Sequence, residues 1–159
     1  PVQLVQLSSF VANEGITFKP QIVNRIVGSD GKALKTFEPV VASDIKMKKE
    51  IFRIVKAGMQ GVVNEPSGTA YGSRIQNVHM SGKTGTAQSS GAEKGKNLGD
   101  HAWFIAFAPS EDPSIAISVL VEYGGHGSSA AAPIAKAISE NLLTVKPEIK
   151  EAMVRGQGR

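Results

Sequence analysis

Residues 114–123, Ser-Ile-Ala-Ile-Ser-Val-Leu-Val-Glu-Tyr, are the most β-prone stretch of the chain. Their nearly unbroken apolar run predicts a strand covered on both faces. Such a strand needs helices above and below it, and three segments have the right periodicity. Residues 1–14 place Val2, Leu4, Val5, Leu7, Val11 and Ala12 on one stripe, with Pro1 in the first turn and Gly15 as the stop. Residues 45–63 repeat Met47, Ile51, Ile54, Val55, Gly58 and Val62 at helical spacing, and Pro66 ends that helix. Ser128 or Ser129 caps a third helix reaching about residue 143, with Pro133 near its first turn. Ala132, Ala135, Ile138, Leu142 and Leu143 form its apolar side.

Two more strands precede the apolar one, at residues 76–88 and 100–108, the second ended by Pro109. Connections this short make the three strands antiparallel. Residues 19–27 and 33–37, joined by Ser29-Asp30-Gly31-Lys32, predict a peripheral hairpin. The expected class is α+β, an antiparallel sheet covered by helices on both faces. Residues 1–143 form the domain and 144–159 a loose charged tail. Residues 89–99, with three glycines and almost no apolar content, predict a mobile loop, either a flap or simple disorder.

A chain of 159 residues is one domain or part of one, and its hydrophobic (41%) and charged (20%) fractions are those of an ordinary globular protein. No apolar run is long enough to span a bilayer. The chain opens on Pro1 inside a helical pattern, so it reads as a segment of a longer protein. Net charge is +4, and Lys46, Lys48, Lys49, Arg53 and Lys56 read as a solvated helix face. With one Trp and no interleaved aromatics, nucleic-acid binding has no support. The absence of Cys excludes disulfides, thiolate metal sites and a Cys nucleophile. His79, His101 and His126 lack metal-ligand spacing and read as structural or solvated residues, and Trp103 as core.

The chemistry concentrates in His79-Met80-Ser81-Gly82-Lys83-Thr84-Gly85-Thr86-Ala87. Ile75, Val78 and Met80 precede it, so the run reads as the end of a strand whose small residues let a ligand approach the backbone. An ammonium, two hydroxyls and an accessible N–H suit an anionic or acyl substrate. Two other readings stand beside it. Gly82-Lys83-Thr84 is the tail of a phosphate-binding loop, although Asn77 stands where that loop needs Gly and no helix start follows. A Gly-rich strand end with a solvated Lys is the third. Strict alternation puts Lys83 and Thr84 on opposite faces of a strand. They share a cleft only if the strand lies at a sheet edge, twisted at Gly82 or Gly85.

Four features in one order carry a resemblance: Ser67-Gly68-Thr69-Ala70; Ser81 through Gln88; Asp100-His101-Ala102-Trp103-Phe104 running into Phe107-Ala108-Pro109; and Gly124-Gly125 before Ala131-Ala132-Pro133. Over residues 1–143 the chain resembles the C-terminal half of the transpeptidase domain of class B penicillin-binding proteins, elongation type. The resemblance implies a peptidoglycan D,D-transpeptidase working through a Ser acyl-enzyme. Its substrates are stem peptides ending in D-Ala-D-Ala, and β-lactams imitate them. It implies Lys83 as catalytic, in the proton-transfer and electrostatic network. Thr84 and Thr86 hold the substrate carboxylate, Gly85 gives access, and the Thr86 N–H is half of the oxyanion hole. No cofactor or metal is implied. The implied partners are the missing N-terminal part of the domain and membrane proteins of cell-wall elongation. The implied location is the periplasmic face of the bacterial cytoplasmic membrane, through an anchor absent here.

The family's nucleophile box is not matched. Ser43-Asp44-Ile45-Lys46 has its letters, but Ser43 reads as the cap of the second helix. Ser139-Glu140-Asn141 spells the second box on the terminal helix, among core positions. The nucleophile is therefore expected upstream, and this segment alone is expected to be inactive. The edge of strand 114–123 is expected to pair with the missing part and to be bare without it. A β-lactam-hydrolysing or drug-sensing relative and a non-catalytic interaction module are the alternatives.

Overall fold

The computed structural model describes residues 1–88 and 99–144. The expected loop at 89–99, apart from Gly99, and the tail beyond residue 144 lie outside the described residues.

Helix α1 spans Val2–Ala12. Its buried positions are Ser8 and Ala12, while Val2 and Leu7 of the predicted stripe are exposed. Ser8 Oγ donates to the carbonyl of Ala106, 2.6 Å away, so a hydroxyl sits at the centre of the inner face. The helix ends in a Schellman motif. Gly15 N–H donates to Phe10 O and Glu14 N–H to Val11 O. The left-handed residue closing it is Glu14 (φ 52°), and Gly15 (φ 107°) follows.

Two short pairs then leave the sheet. β1 (Ile16–Phe18) pairs antiparallel with β4 (Val41–Asp44), enclosing the hairpin of β2 (Arg25–Val27) and β3 (Ala33–Thr36). The hairpin is exposed throughout, as its periphery predicted. β1 and β4 have no sequence expectation behind them. Each is short, and neither contains a buried residue.

Helix α2 (Lys49–Asn64) corrects two expectations. It starts four residues late, with Lys48 and not Ser43 at its cap. Ser43 is in β4, its Oγ 2.7 Å from Thr17 Oγ1 across the β1–β4 pair. The buried face is also different. Phe52, Met59 and Val63 are buried, whereas Ile51, Ile54 and Val55 are exposed. The helix carries two apolar stripes, and the aromatic one wins. Phe52 meets Phe10 edge-on at 5.6 Å, and Met59 packs with Phe107. The basic residues are exposed, apart from the partly buried Lys56, which pairs with Glu14 at 3.0 Å.

β5 (Ser81–Ala87), β6 (His101–Ala108) and β7 (Ile115–Val121) form the expected antiparallel sheet in that order. β5 begins later than predicted. Residues 74–80 make a tight turn closed by an Ile75–Val78 bridge, with Asn77 at φ 62°. The Lys-Thr-Gly run therefore opens and fills a strand and does not end one. β6 ends at a cis Ala108–Pro109 bond.

Alternation along β6 divides the core. Ala102, Phe104 and Ala106 join Ile117 and Val119 of β7 against Ala131, Ala132 and Ala135. On the other face Phe107 packs with Val11 and Ala12 of α1 and Met59 of α2. Helix α3 (Ala132–Thr144) follows a π-turn, Gly127–Ala131, and no serine side chain caps it. Ser129 Oγ donates to His126 O instead. Ser139 occupies an inner position of α3, fully buried with its Oγ 3.6 Å from Met80 Sδ. Ile138 and Leu142, expected inside, are turned to an open groove along the outer edge of β7, facing Pro1, Val2 and Val5 of the opposite layer. Among the described residues nothing pairs with that edge. α1 and α3 both reach β7, but most of its side chains stay half-buried.

Candidate active site

β5 is the other edge of the sheet. Its seven residues pair one-to-one with β6, Ser81 with Phe107 through Ala87 with His101, without a bulge. The faces follow from parity. Lys83 and Gly85 lie on the α1 side, level with Ile105 and Trp103. Gly82, Thr84 and Thr86 lie on the α3 side, level with Ala106, Phe104 and Ala102. Trp103, expected in the core, is half-buried, with its Cβ against Gly85. Gly82 is under the Phe104 ring, where no Cβ fits.

The outward backbone groups follow the same parity. In an antiparallel pair, alternate residues exchange hydrogen bonds with the partner and the others point away. Two outer carbonyls are identified by their donors. Asn64 Nδ2 donates to Met80 O at 2.9 Å, and Lys83 Nζ donates to Thr84 O at 2.6 Å. The even-numbered residues thus face outward, and Thr86 N–H belongs to the same set. Lys83 starts on one face and folds over the free edge to a carbonyl between two hydroxyl residues. Thr69 Oγ1 lies 3.3 Å from Thr84 Oγ1. Lys83 and Thr86 are exposed, and Thr84 and Gly85 are half-buried. The site residues taken from the sequence are thus contiguous along one open polar lip.

The lip is anchored at its start. Asn64, held within α2 by donating to Gln60 O at 2.8 Å, ties the residue before β5 to the end of that helix through its bond to Met80 O. Ser81 is buried with its Oγ 2.8 Å from Ser110 Oγ, and Ser110 N–H donates to His79 O. His79 Nδ1 lies 2.7 Å from Glu111, whose carboxyl is held below its ordinary range by that hydrogen bond. His101 accepts Tyr123 N–H through Nδ1 and meets the Tyr123 ring at a 44° tilt, centroids 4.7 Å apart. Both histidines have structural partners, and His126 is exposed.

Other candidates separate from the lip. Gly82 and Lys83 sit inside a strand that continues to Ala87, so they open no helix and the phosphate-loop reading fails. Ser43 is in the β1–β4 pair, and Ser139 is sealed in the core. Sequence reasoning assigned no role to Asn64 or Thr69. The fragment Ser67-Gly68-Thr69-Ala70 was visible, but its distance in sequence from Thr84 hid their contact.

The family model of the penicillin binding protein transpeptidase domain matches residues 1–140. The peptidoglycan D,D-transpeptidase MrdA of Haemophilus influenzae is 31% identical over 95% of this chain and 25% of its own length. Penicillin-binding protein 2B of Streptococcus pneumoniae superposes with a TM-score of 0.76 at 27% identity, over 92% of this chain and 25% of that one. The imipenem acyl-enzyme complex of penicillin-binding protein A from M. tuberculosis superposes with a TM-score of 0.71 at 29% identity, over 90% of this chain and 30% of that one. The chain thus spans about a quarter to a third of the length of these relatives.

Proposed function

Because the chain belongs to the penicillin-binding-protein transpeptidase family, we propose that it supplies the substrate-gripping edge of a peptidoglycan D,D-transpeptidase that β-lactams acylate. Its main support is the lip of Lys83, Thr84 and Thr86, open to solvent on an edge strand. In this reading the attacking Ser lies on polypeptide outside this sequence, in keeping with Ser43, the match to the nucleophile box, pairing with Thr17 between β1 and β4.

The Ser hydroxyl oxygen adds to the penultimate D-Ala carbonyl, and its proton passes to the departing amine. The C–N bond breaks, D-Ala leaves, and an ester joins the stem peptide to the enzyme. An amine of a second stem peptide then attacks the ester, and the Ser oxygen leaves with a proton. Lys83 belongs to the electrostatic and proton-transfer network beside the reacting groups. Thr84 and Thr86 hydroxyls donate to the terminal carboxylate. The outward N–H of Thr86 stabilises the tetrahedral oxyanion, a donor whose removal from such a hole typically costs about 10²–10³ in rate. A β-lactam carbonyl and carboxylate take the same places. Cross-linking of stem peptides puts this edge on the periplasmic side of the membrane, beside the rest of the domain and the proteins of cell-wall elongation.

Labelling with a fluorescent penicillin tests the proposal on three proteins: a full-length protein containing this chain, its Lys83→Ala variant, and the 159-residue chain alone. Strong, greatly reduced and no labelling are expected. Labelling of the chain alone at Ser43, or an undiminished Lys83→Ala variant, overturns it.

A further inference from the structure

We propose that Thr69 is a positioning residue of the carboxylate clamp, holding the Thr84 hydroxyl with its proton turned toward the substrate; this rests on the clamp reading above. Thr69 comes from the loop after α2, not from the sheet, and the loop has little freedom. Gly68 N–H donates to Glu65 O at 2.8 Å and Ala70 N–H to Val62 O at 2.9 Å. A Cβ at Gly68 would run into the carbonyls of Gly61 and Val62, and Ala70 is buried. Thr69 therefore stands between two clamped residues, with its own side chain exposed and its Oγ1 3.3 Å from Thr84 Oγ1.

The proton count gives the pair a direction. A threonine hydroxyl has one proton and two acceptor lone pairs. If Thr84 donates to a carboxylate, its proton is spent on the ligand, and the hydrogen bridging the two hydroxyls must come from Thr69. Thr69 then donates to Thr84 and Thr84 to the anion. A chain of hydroxyls ending on a charge is mutually polarised, so each bond strengthens the next. The 3.3 Å separation exceeds the usual O–H···O distance of about 2.7–2.8 Å, so the pair has room to tighten when an anion arrives. Lys83 fixes Thr84 from the other side through its carbonyl.

The test uses a full-length protein containing this chain. It measures second-order acylation by a penicillin and by the methyl ester of that penicillin, which lacks the anion. Thr69→Val keeps the shape and removes the donor. It is expected to slow acylation by the free acid about three- to tenfold, the worth of a net hydrogen bond, and to leave the ester rate unchanged. Thr69→Ser is expected to restore the acid rate. In the Thr84→Val background, Thr69→Val is expected to add nothing. An equal loss on acid and ester, an additive double variant, or no loss in Thr69→Val while Thr84→Val is impaired overturns the assignment of Thr69 alone. If Thr84→Val itself leaves the acid rate unchanged, the clamp reading falls and takes this one with it.

Discussion

Phe104 lies across the backbone of Gly82, on the face of β5 opposite Lys83. One ring thus backs the strand whose other side starts the ammonium toward the lip. A methyl group at residue 82 has no space without moving the ring or the strand. Gly82→Ala is expected to destabilise the protein by about 1–3 kcal/mol through overpacking, outweighing the smaller gain from restricting a strand glycine. Gly58→Ala on the exposed side of α2, where nothing lies within 4 Å, is expected to be neutral or to stabilise by about 0.4–1 kcal/mol. Urea midpoints at unchanged slope measure both. Equal effects would refute the packing account.

Ser8 places a hydroxyl where the periodicity of α1 predicts only apolar contact. Its 2.6 Å bond to Ala106 O joins the helix to the central strand inside the core. Ser8→Ala is expected to cost about 0.5–1.5 kcal/mol, the net worth of such a bond. Ser8→Val is expected to cost more, because it adds volume and still removes the donor. A Ser8→Ala variant as stable as the parent in denaturant melts would show that the carbonyl loses nothing with its second donor.

Glu14 titrates below its ordinary range because Lys56 donates a hydrogen bond to it and adds favourable charge. A carboxylate with a depressed folded-state pKa contributes stability above its unfolded pKa of about 4.3. That contribution is lost as the pH falls through the lower folded value. Glu14 is about half exposed, so solvent screening limits the pair to about 1 kcal/mol at most. Stability measured from pH 6 down to 3 is expected to fall more steeply in the parent than in Glu14→Gln, which keeps the backbone conformation and loses the charge. Parallel curves would exclude the pair from acid unfolding.

The edge of β7, unpaired among the described residues, borders an apolar groove, an arrangement that invites strand pairing between copies. The 159-residue chain alone is expected to associate as its concentration rises, seen as earlier elution in size exclusion. Val121→Lys, a charge placed at the end of that edge, is expected to reduce the association. A parent chain that stays monomeric and unfolds cooperatively at high concentration would count against an open edge.

Much of this was legible because local rules and packing agreed. The β-prone run at 114–123, the strand at 100–108 stopped by Pro109 and the turn at Asp30-Gly31 each have one low-energy solution. The four ordered motifs located the candidate site. What was not legible depended on partners distant in sequence. α2 has two apolar stripes, and only Phe10 and Phe107, far along the chain, select Phe52 and Met59 for burial. Ser43 had the right residue type for a cap, but Thr17 offered it a strand partner. Thr69 and Thr84 meet because a helix and a turn bring their segments together.

The unbroken register between β5 and β6 makes the lip depend on odd and even count. Every residue from Ser81 to Ala87 has one counterpart across the ladder, so no bulge exists to absorb a length change. Deleting one residue between Gly82 and Thr86 would exchange inner for outer along part of the strand. Chain length there is as constrained as chemistry, and even a variant retaining every functional group would present it to the wrong neighbour.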